Sequence, residues 1–174
     1  MITLICITLK LGISATFLIC GGNEMIKKLD IRNLDMRIKI EKLQKESYLV
    51  EARLINYFKI PGLIEDEKKL VESQEIFYGY IIDDQLLGII SYKLLNNIID
   101  IHRLAILPNH FNKGIATSLI KNIEKLEIKT QKIIVSTGKK NYPACKLYEK
   151  LGYIKINETI IEDNLIINNY EKIL

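Results

Sequence analysis

Residues 98–124 read IIDIHRLAILPNHFNKGIATSLIKNIE, and the order of their parts decides how the chain folds. An apolar, β-rich run over residues 98–107 predicts a strand. Pro108 breaks it, and a short loop bearing Gly114 opens directly into a helical pattern. Ile115, Ala116, Leu119, Ile120 and Ile123 fall on one stripe of that helix, with Lys121, Glu124 and Lys125 outside it. A strand feeding a helix N-terminus in this way makes an anion site, because the first helical amides lack internal partners and the helix dipole favours negative charge there. Gly114 lets the backbone come close to such an anion, and Ala116 keeps the next turn slim. GK[ST] is absent, as is the spacing of the dinucleotide fingerprint, so neither a P-loop nor a Rossmann site is read here.

Working outward from this unit, residues 86–94 and 75–82 predict strands joined by a turn at Asp83-Asp84-Gln85. Before them come a short charged helix over 65–73, the breaker Ile60-Pro61-Gly62, two helices over 48–58 and 35–44, and a first strand over 26–31. On the C-terminal side, residues 132–136 predict a strand that Thr137-Gly138 ends. In the helix that follows, Ala144, Leu147, Tyr148 and Leu151 share a face, Pro143 fits the first turn and Gly152 closes it. Residues 153–156 and 165–172 read as the last strands, with Asp163-Asn164 in their turn. Antiparallel strands followed by βαβ-like units give a mixed α+β sheet. No repeat or low-complexity linker interrupts residues 25–174, which form one domain.

Two stretches resemble a known family. Residues 108–116, PNHFNKGIA, are similar to the acetyl-CoA pyrophosphate loop of the GNAT N-acetyltransferase superfamily, [RQ]-x-x-G-x-[GA]. Gly114 and Ala116 match, and Phe111 stands where Arg or Gln is usual. Residues 141–153, NYPACKLYEKLGY, resemble the family's N-x-x-A-x-x-x-Y-x-x-x-G-[FY], matched by Asn141, Ala144, Tyr148, Gly152 and Tyr153. The resemblance implies a three-layer fold, a mixed and mostly antiparallel sheet with helices on both faces. It also implies an acetyl-CoA-dependent N-acetyltransferase acting on a primary amine of a small molecule or protein. A non-catalytic acyl-CoA-sensing module is the alternative.

The resemblance further assigns roles. Phe111, Asn112, Lys113, Gly114, Ile115, Ala116 and Thr117 would hold the pyrophosphate, chiefly through backbone amides. Lys113 would add charge there or be simply solvated. Ala105 and Ile106 would lend strand backbone to the pantetheine arm. Tyr148 would protonate the departing thiolate, since a phenol is protonated at neutral pH; the competing reading is a core tyrosine. Asn141 would orient the cofactor or cap its helix. Asp100, or His102 two residues on and facing the same side, would take the proton from the amine. Their plainer readings are a strand-start residue and a half-buried histidine. Glu51 and Tyr78 would face the acceptor.

At 174 residues, the chain is long enough to bury a core. Its net charge of +4 is spread along the sequence, and no basic cluster is interleaved with aromatics, so nucleic acid is not the expected partner. The three cysteines make no disulfide framework. Cys145 is expected to pack rather than react, and neither His102 nor His110 belongs to a metal-ligand spacing. Residues 1–22 are apolar around Lys10, yet fit neither a signal peptide nor a membrane span. Gly21-Gly22-Asn23-Glu24-Met25 can encode a ribosome-binding GGAGG ahead of the Met25 codon. Residues 1–24 are therefore read as translated leader from a misassigned start, with a targeting segment as the alternative. The expected location is cytoplasmic, with no membrane contact unless residues 1–22 are native. An isoleucine-rich C-terminal strand offers pairing across a homodimer.

Overall fold

The computed structural model describes residues 24–126, 130–162 and 165–174; the expectation for residues 1–22 lies outside them. Strand β1 (Glu24–Lys28) leads into helix α1 (Leu34–Ile55), short helices α2 (Pro61–Ile64) and α3 (Glu67–Glu72), and strands β2 (Ile76–Ile82), β3 (Gln85–Leu95) and β4 (Ile98–Ile106). Helix α4 (Ile115–Leu126), strand β5 (Lys132–Gly138), helix α5 (Tyr142–Lys150) and strands β6 (Ile154–Glu162) and β7 (Leu165–Ile173) complete the chain. The strands form one seven-stranded sheet in the order β1-β2-β3-β4-β5-β7-β6. Every pairing is antiparallel except β4 with β5, where α4 supplies the crossover a parallel pair needs. The mixed α+β architecture expected from the sequence is the one observed.

Local chemistry explains the hairpins. Asp83 and Asp84 have φ of 47° and 61°, and Asn96 and Asn97 have 51° and 61°, the doubly positive pattern of a tight turn whose twist suits two strands. Asn33 caps α1 by accepting from the Met36 amide at 3.0 Å, and Asp66 accepts from the amides of Lys68 and Lys69 at the start of α3.

The core lies in two layers. On one face α1 and α3 cover the sheet, burying Ile40, Leu43 and Leu70 against Phe77, Ile81 and Ile89. The second cluster gathers Leu119, Ile120 and Ile123 of α4 with Ile90, Tyr92 and Ile99, and includes Cys145 and Tyr148 of α5.

Two expectations are corrected. Residues 35–44 and 48–58 form a single 22-residue helix ending at Ile55. The polar stretch Lys45-Glu46-Ser47 does not break it, because Ser47, like Gln44, belongs to its buried stripe. Strand β6 runs through residue 162 rather than stopping at 156, since β7 offers it pairing partners as far as Leu165.

One feature of the sheet positions the site. Strands β4 and β5 pair only from Ile98–Ile101 against Lys132–Val135, although β4 continues to Ile106 and β5 to Gly138. Beyond Ile101 and Val135 the two strands part, leaving a wedge in mid-sheet.

Candidate active site

Helix α1 lies along that wedge and presents two consecutive hydroxyl residues to β4. The amide of Ile106 donates to Ser47 Oγ at 3.2 Å. The Tyr48 phenol lies beside the Leu104 backbone. Alternate strand residues turn their backbone groups to the same edge, so Ser47 covers one of the donors that β5 leaves behind. A hydroxyl residue inside an apolar helical stripe is the sequence signal for this contact.

On one side of the wedge lies a cavity of about 550 Å³. Its floor is the loop between β4 and α4. A short 3₁₀ turn at Pro108–His110, Asn112 at φ 60° and Gly114 at φ 85° swing the chain so that α4 begins at the cavity wall. The first capping bond into α4 runs from Ser118 N–H to Gly114 C=O at 2.9 Å, and the amides of Ile115, Ala116 and Thr117 precede it as the helix's unpartnered donors. A Cβ built on Gly114 meets no atom within 4 Å, so the space above it is open. Phe111, half-buried, rests on the core. Lys146 and Lys150 of α5 also line this cavity.

On the other side is a cavity of about 720 Å³, lined by residues from α1, α2, β4, β5 and α5. Glu51, Leu104, Asn141 and Ala144 line both cavities. They mark the junction where a group held on one side can reach a group held on the other. Asn141 has two functions here. Its side-chain oxygen accepts from the Ala144 amide at 3.3 Å, capping α5, and its side chain stands beside the Glu51 carboxyl. Burial raises the Glu51 carboxyl above the ordinary glutamate range, and the nearby Asn141 side chain only partly opposes it.

Tyr148 borders the larger cavity and is only 4% exposed. Its ring packs between those of Tyr153 and Tyr170, each with a centroid 5.7 Å away. Burial drives its pKa far above that of a free phenol, with Glu51 and Tyr48 adding to the shift. It therefore holds its proton at any physiological pH. The Tyr48 phenol is shifted upward in the same way, first by burial and then by Glu51. Its ring occupies the space over Gly62, where any added Cβ would collide with it.

The remaining wall is polar and tightly paired. Glu75, with its side chain 3% exposed, accepts from Ser91 Oγ at 2.5 Å and from Arg103 Nε at 2.9 Å. Arg103 also donates to Glu65 at 3.1 Å. His102 lines this cavity, its Nδ1 3.7 Å from Glu75 and its Nε2 3.3 Å from Asp100.

The structure thus brings together Tyr148, Asn141, Ile106, His102 and the loop residues Phe111, Asn112, Gly114, Ile115, Ala116 and Thr117 along the two cavities. Asp100 lines neither and stands behind His102. Lys113 is exposed and lines neither cavity. Ala105 has its side chain in the core against α1 and α3, and since Leu107 N–H bonds Leu87 of β3, alternation turns the backbone of Ala105 to β3 and that of Leu104 and Ile106 to the wedge. Glu51 faces the junction, whereas Tyr78 stacks on Tyr92 at 6.4 Å away from both cavities. Cys145 is buried, its sulfur 3.6 Å from the Asn168 side-chain nitrogen. No group of metal-ligating side chains occurs among the described residues.

Two cavities meeting at one buried carboxylate, with a phenol on the wall of the larger and bare helical amides at the far end of the smaller, are the arrangement of a two-substrate transferase. The chain belongs to the acetyltransferase (GNAT) family, whose family model matches residues 33–153. It is 31% identical over 144 residues to the UPF0157 protein YqkA of Bacillus subtilis (strain 168), which covers 83% of this chain and 42% of that protein. It is 27% identical over 114 residues to a streptothricin acetyltransferase of Escherichia coli, 64% of each. The chain therefore spans less than two thirds of either relative. In fold it is similar to the PaiA N-acetyltransferase of Thermoplasma acidophilum, solved in complex with coenzyme A. That match has a TM-score of 0.70 at 22% identity, over 84% of this chain and 97% of that one.

Proposed function

We propose that this protein transfers the acetyl group of acetyl-CoA to a primary amine. The observation that carries the reading is the junction, where Glu51, Leu104, Asn141 and Ala144 are common to both cavities. The smaller cavity suits the cofactor. Its helix N-terminus offers amides to a pyrophosphate, the open space over Gly114 admits one, and the wedge edge of β4 offers backbone to an extended arm. The larger cavity is left for the acceptor.

The chemistry then divides among the side chains at the junction. Glu51, whose carboxylate is made more basic by burial, takes a proton from the ammonium group. The freed nitrogen lone pair attacks the thioester carbon, and the carbonyl π pair moves onto oxygen. When the carbonyl re-forms, the C–S bond breaks, the sulfur takes its proton from Tyr148, and the second proton of the now cationic nitrogen passes to the Tyr148 oxygen and restores the phenol. The products are the acetamide, CoA and the proton left on Glu51. His102, with Asp100 behind it, borders the acceptor farther along the same wall. No helix among the described residues is long and apolar enough to cross a membrane. The cytoplasmic reading rests on the co-substrate, which is made and used inside cells.

Calorimetric titration with acetyl-CoA, followed by an amine panel read out as released CoA, tests the proposal. One saturable site and turnover with at least one amine are expected. Binding without turnover across a broad panel would favour the acyl-CoA-sensing alternative. Absence of binding by folded protein would end both readings.

A further inference from the structure

The smaller cavity carries two positive charges for which the steps above have no use. Lys146 and Lys150 of α5 both line it. They stand four residues apart, so one helical turn places them on the same face. Both fall at positions that the pattern over residues 141–153 leaves open, so the family resemblance assigns them no role. Both are exposed, whereas Asn141 at the junction is buried; the lysines therefore belong to the outer rim of the cavity.

Three observations distinguish the pair from lysines that are simply solvated. Among the described residues neither takes part in a salt bridge or a side-chain hydrogen bond, although Lys132, Lys139, Lys155 and Lys172 in the same half of the chain each pair with a glutamate. Glu149, which lies between them in sequence, is turned to another face, where it accepts from the Tyr170 hydroxyl at 3.3 Å. Glu51 is the one carboxylate among the described residues that lines this cavity, and it sits at the junction end. Two like charges a turn apart repel each other, and an anion held between them would relieve that repulsion.

Acetyl-CoA carries two kinds of phosphate. The pyrophosphate is a pair of singly charged groups inside the chain of the carrier, and the ribose 3′-phosphate is a monoester with a charge of about −2 at neutral pH. The amides of Ile115, Ala116 and Thr117 have no formal charge and suit the pyrophosphate, which can come close over Gly114. A compact dianion at the rim, partly in water, is better matched by ammonium groups on long stems, which act as point charges and need no fixed geometry. Lys113, the cation of the loop, lines neither cavity, so Lys146 and Lys150 are the lysines available to it.

We propose that Lys146 and Lys150 clamp the ribose 3′-phosphate of acetyl-CoA and make the protein prefer that carrier to one lacking the group. The proposal rests on the acetyl-CoA reading above and deepens it by assigning the determinant of donor specificity. No bond forms or breaks at the clamp.

The test titrates the full chain and its Lys146→Gln, Lys150→Gln double variant with two ligands by calorimetry. One is acetyl-CoA and the other is acetyl-dephospho-CoA, which lacks only the 3′-phosphate. Glutamine keeps the helix propensity of lysine and both positions are exposed, so the fold should be retained, which the melting temperature checks. The wild type is expected to bind acetyl-CoA about tenfold more tightly than the dephospho ligand, as two partly exposed charge-assisted contacts allow. That preference should shrink as salt is added. The double variant should bind the two ligands equally, with its affinity for the dephospho ligand within about twofold of wild type. A wild type without the preference, or a double variant that keeps it, overturns the proposal. So does a variant weakened equally towards both ligands, since the lysines then hold the pyrophosphate. Failure of the wild type to bind either ligand is a different result, and overturns the acetyl-CoA reading and the clamp with it.

Discussion

The same burial raises the pKa of both Glu51 and Tyr148. The pocket disfavours charge on both, which keeps the phenol protonated and makes the carboxylate basic. Tyr148→Phe is expected to lower kcat by at least about 10²-fold, with CoA affinity measured by calorimetry nearly intact; an unchanged rate would remove Tyr148 from the acid role. Glu51→Gln should abolish the limb of the pH–rate profile in which activity rises as Glu51 ionises. It should also separate activity from stability. Because the folded pKa of Glu51 is raised, the neutral carboxyl is the form compatible with folding. Its contribution is complete below the ordinary glutamate range and is lost as pH rises through the raised value. Glu51→Gln should therefore match the wild type in melting temperature at acid pH and equal or exceed it at pH 7 and above. A variant less stable at pH 7 than at acid pH, relative to wild type, would contradict the burial argument.

At the scale of elements, the loop between β4 and α4 is where sequence and structure agree most closely. Gly114 is read from the sequence as a point of close backbone approach, and the space above it is open, with φ at 85°. Gly114→Ala places a methyl group in empty space, so packing costs nothing. The strained φ costs about 1–2 kcal/mol, and the methyl stands where a phosphate would approach. CoA affinity is expected to fall more than tenfold by calorimetry with only a modest loss of melting temperature; retained affinity would move the pyrophosphate elsewhere. The helix that Pro143 opens and Gly152 closes and the turn at Asp83-Asp84 were equally legible, since these residues act locally. What could not be read were contacts between distant segments. The contact of Ser47 was not legible because its partner, the Ile106 amide, lies 59 residues away. The Glu75–Arg103–Glu65 network spans strands and a loop that no local pattern links. Glu51 was placed towards the acceptor only by analogy, because its basicity comes from burial that sequence does not display. Gly62 was read as a breaker, when its lack of a side chain is what seats Tyr48.

For the whole molecule, the incomplete β4–β5 seam has a mechanical consequence. Four paired positions hold β1–β4 with their helices to β5–β7 with α5 through the sheet, and past Val135 the two portions are joined chiefly by side chains. An extended ligand arm lying in that gap would act as a splint, supplying rungs the ladder lacks. Saturating CoA should then raise the melting temperature as mass action requires. Beyond that general effect, it should slow hydrogen–deuterium exchange selectively at the seam-facing amides of residues 104–106 and 136–138, more than at β1 or β6. Uniform protection across the sheet would show that the ligand binds without bridging. If protection is concentrated at the seam, the donor substrate is also a temporary strand of the fold, and each turnover unfastens it.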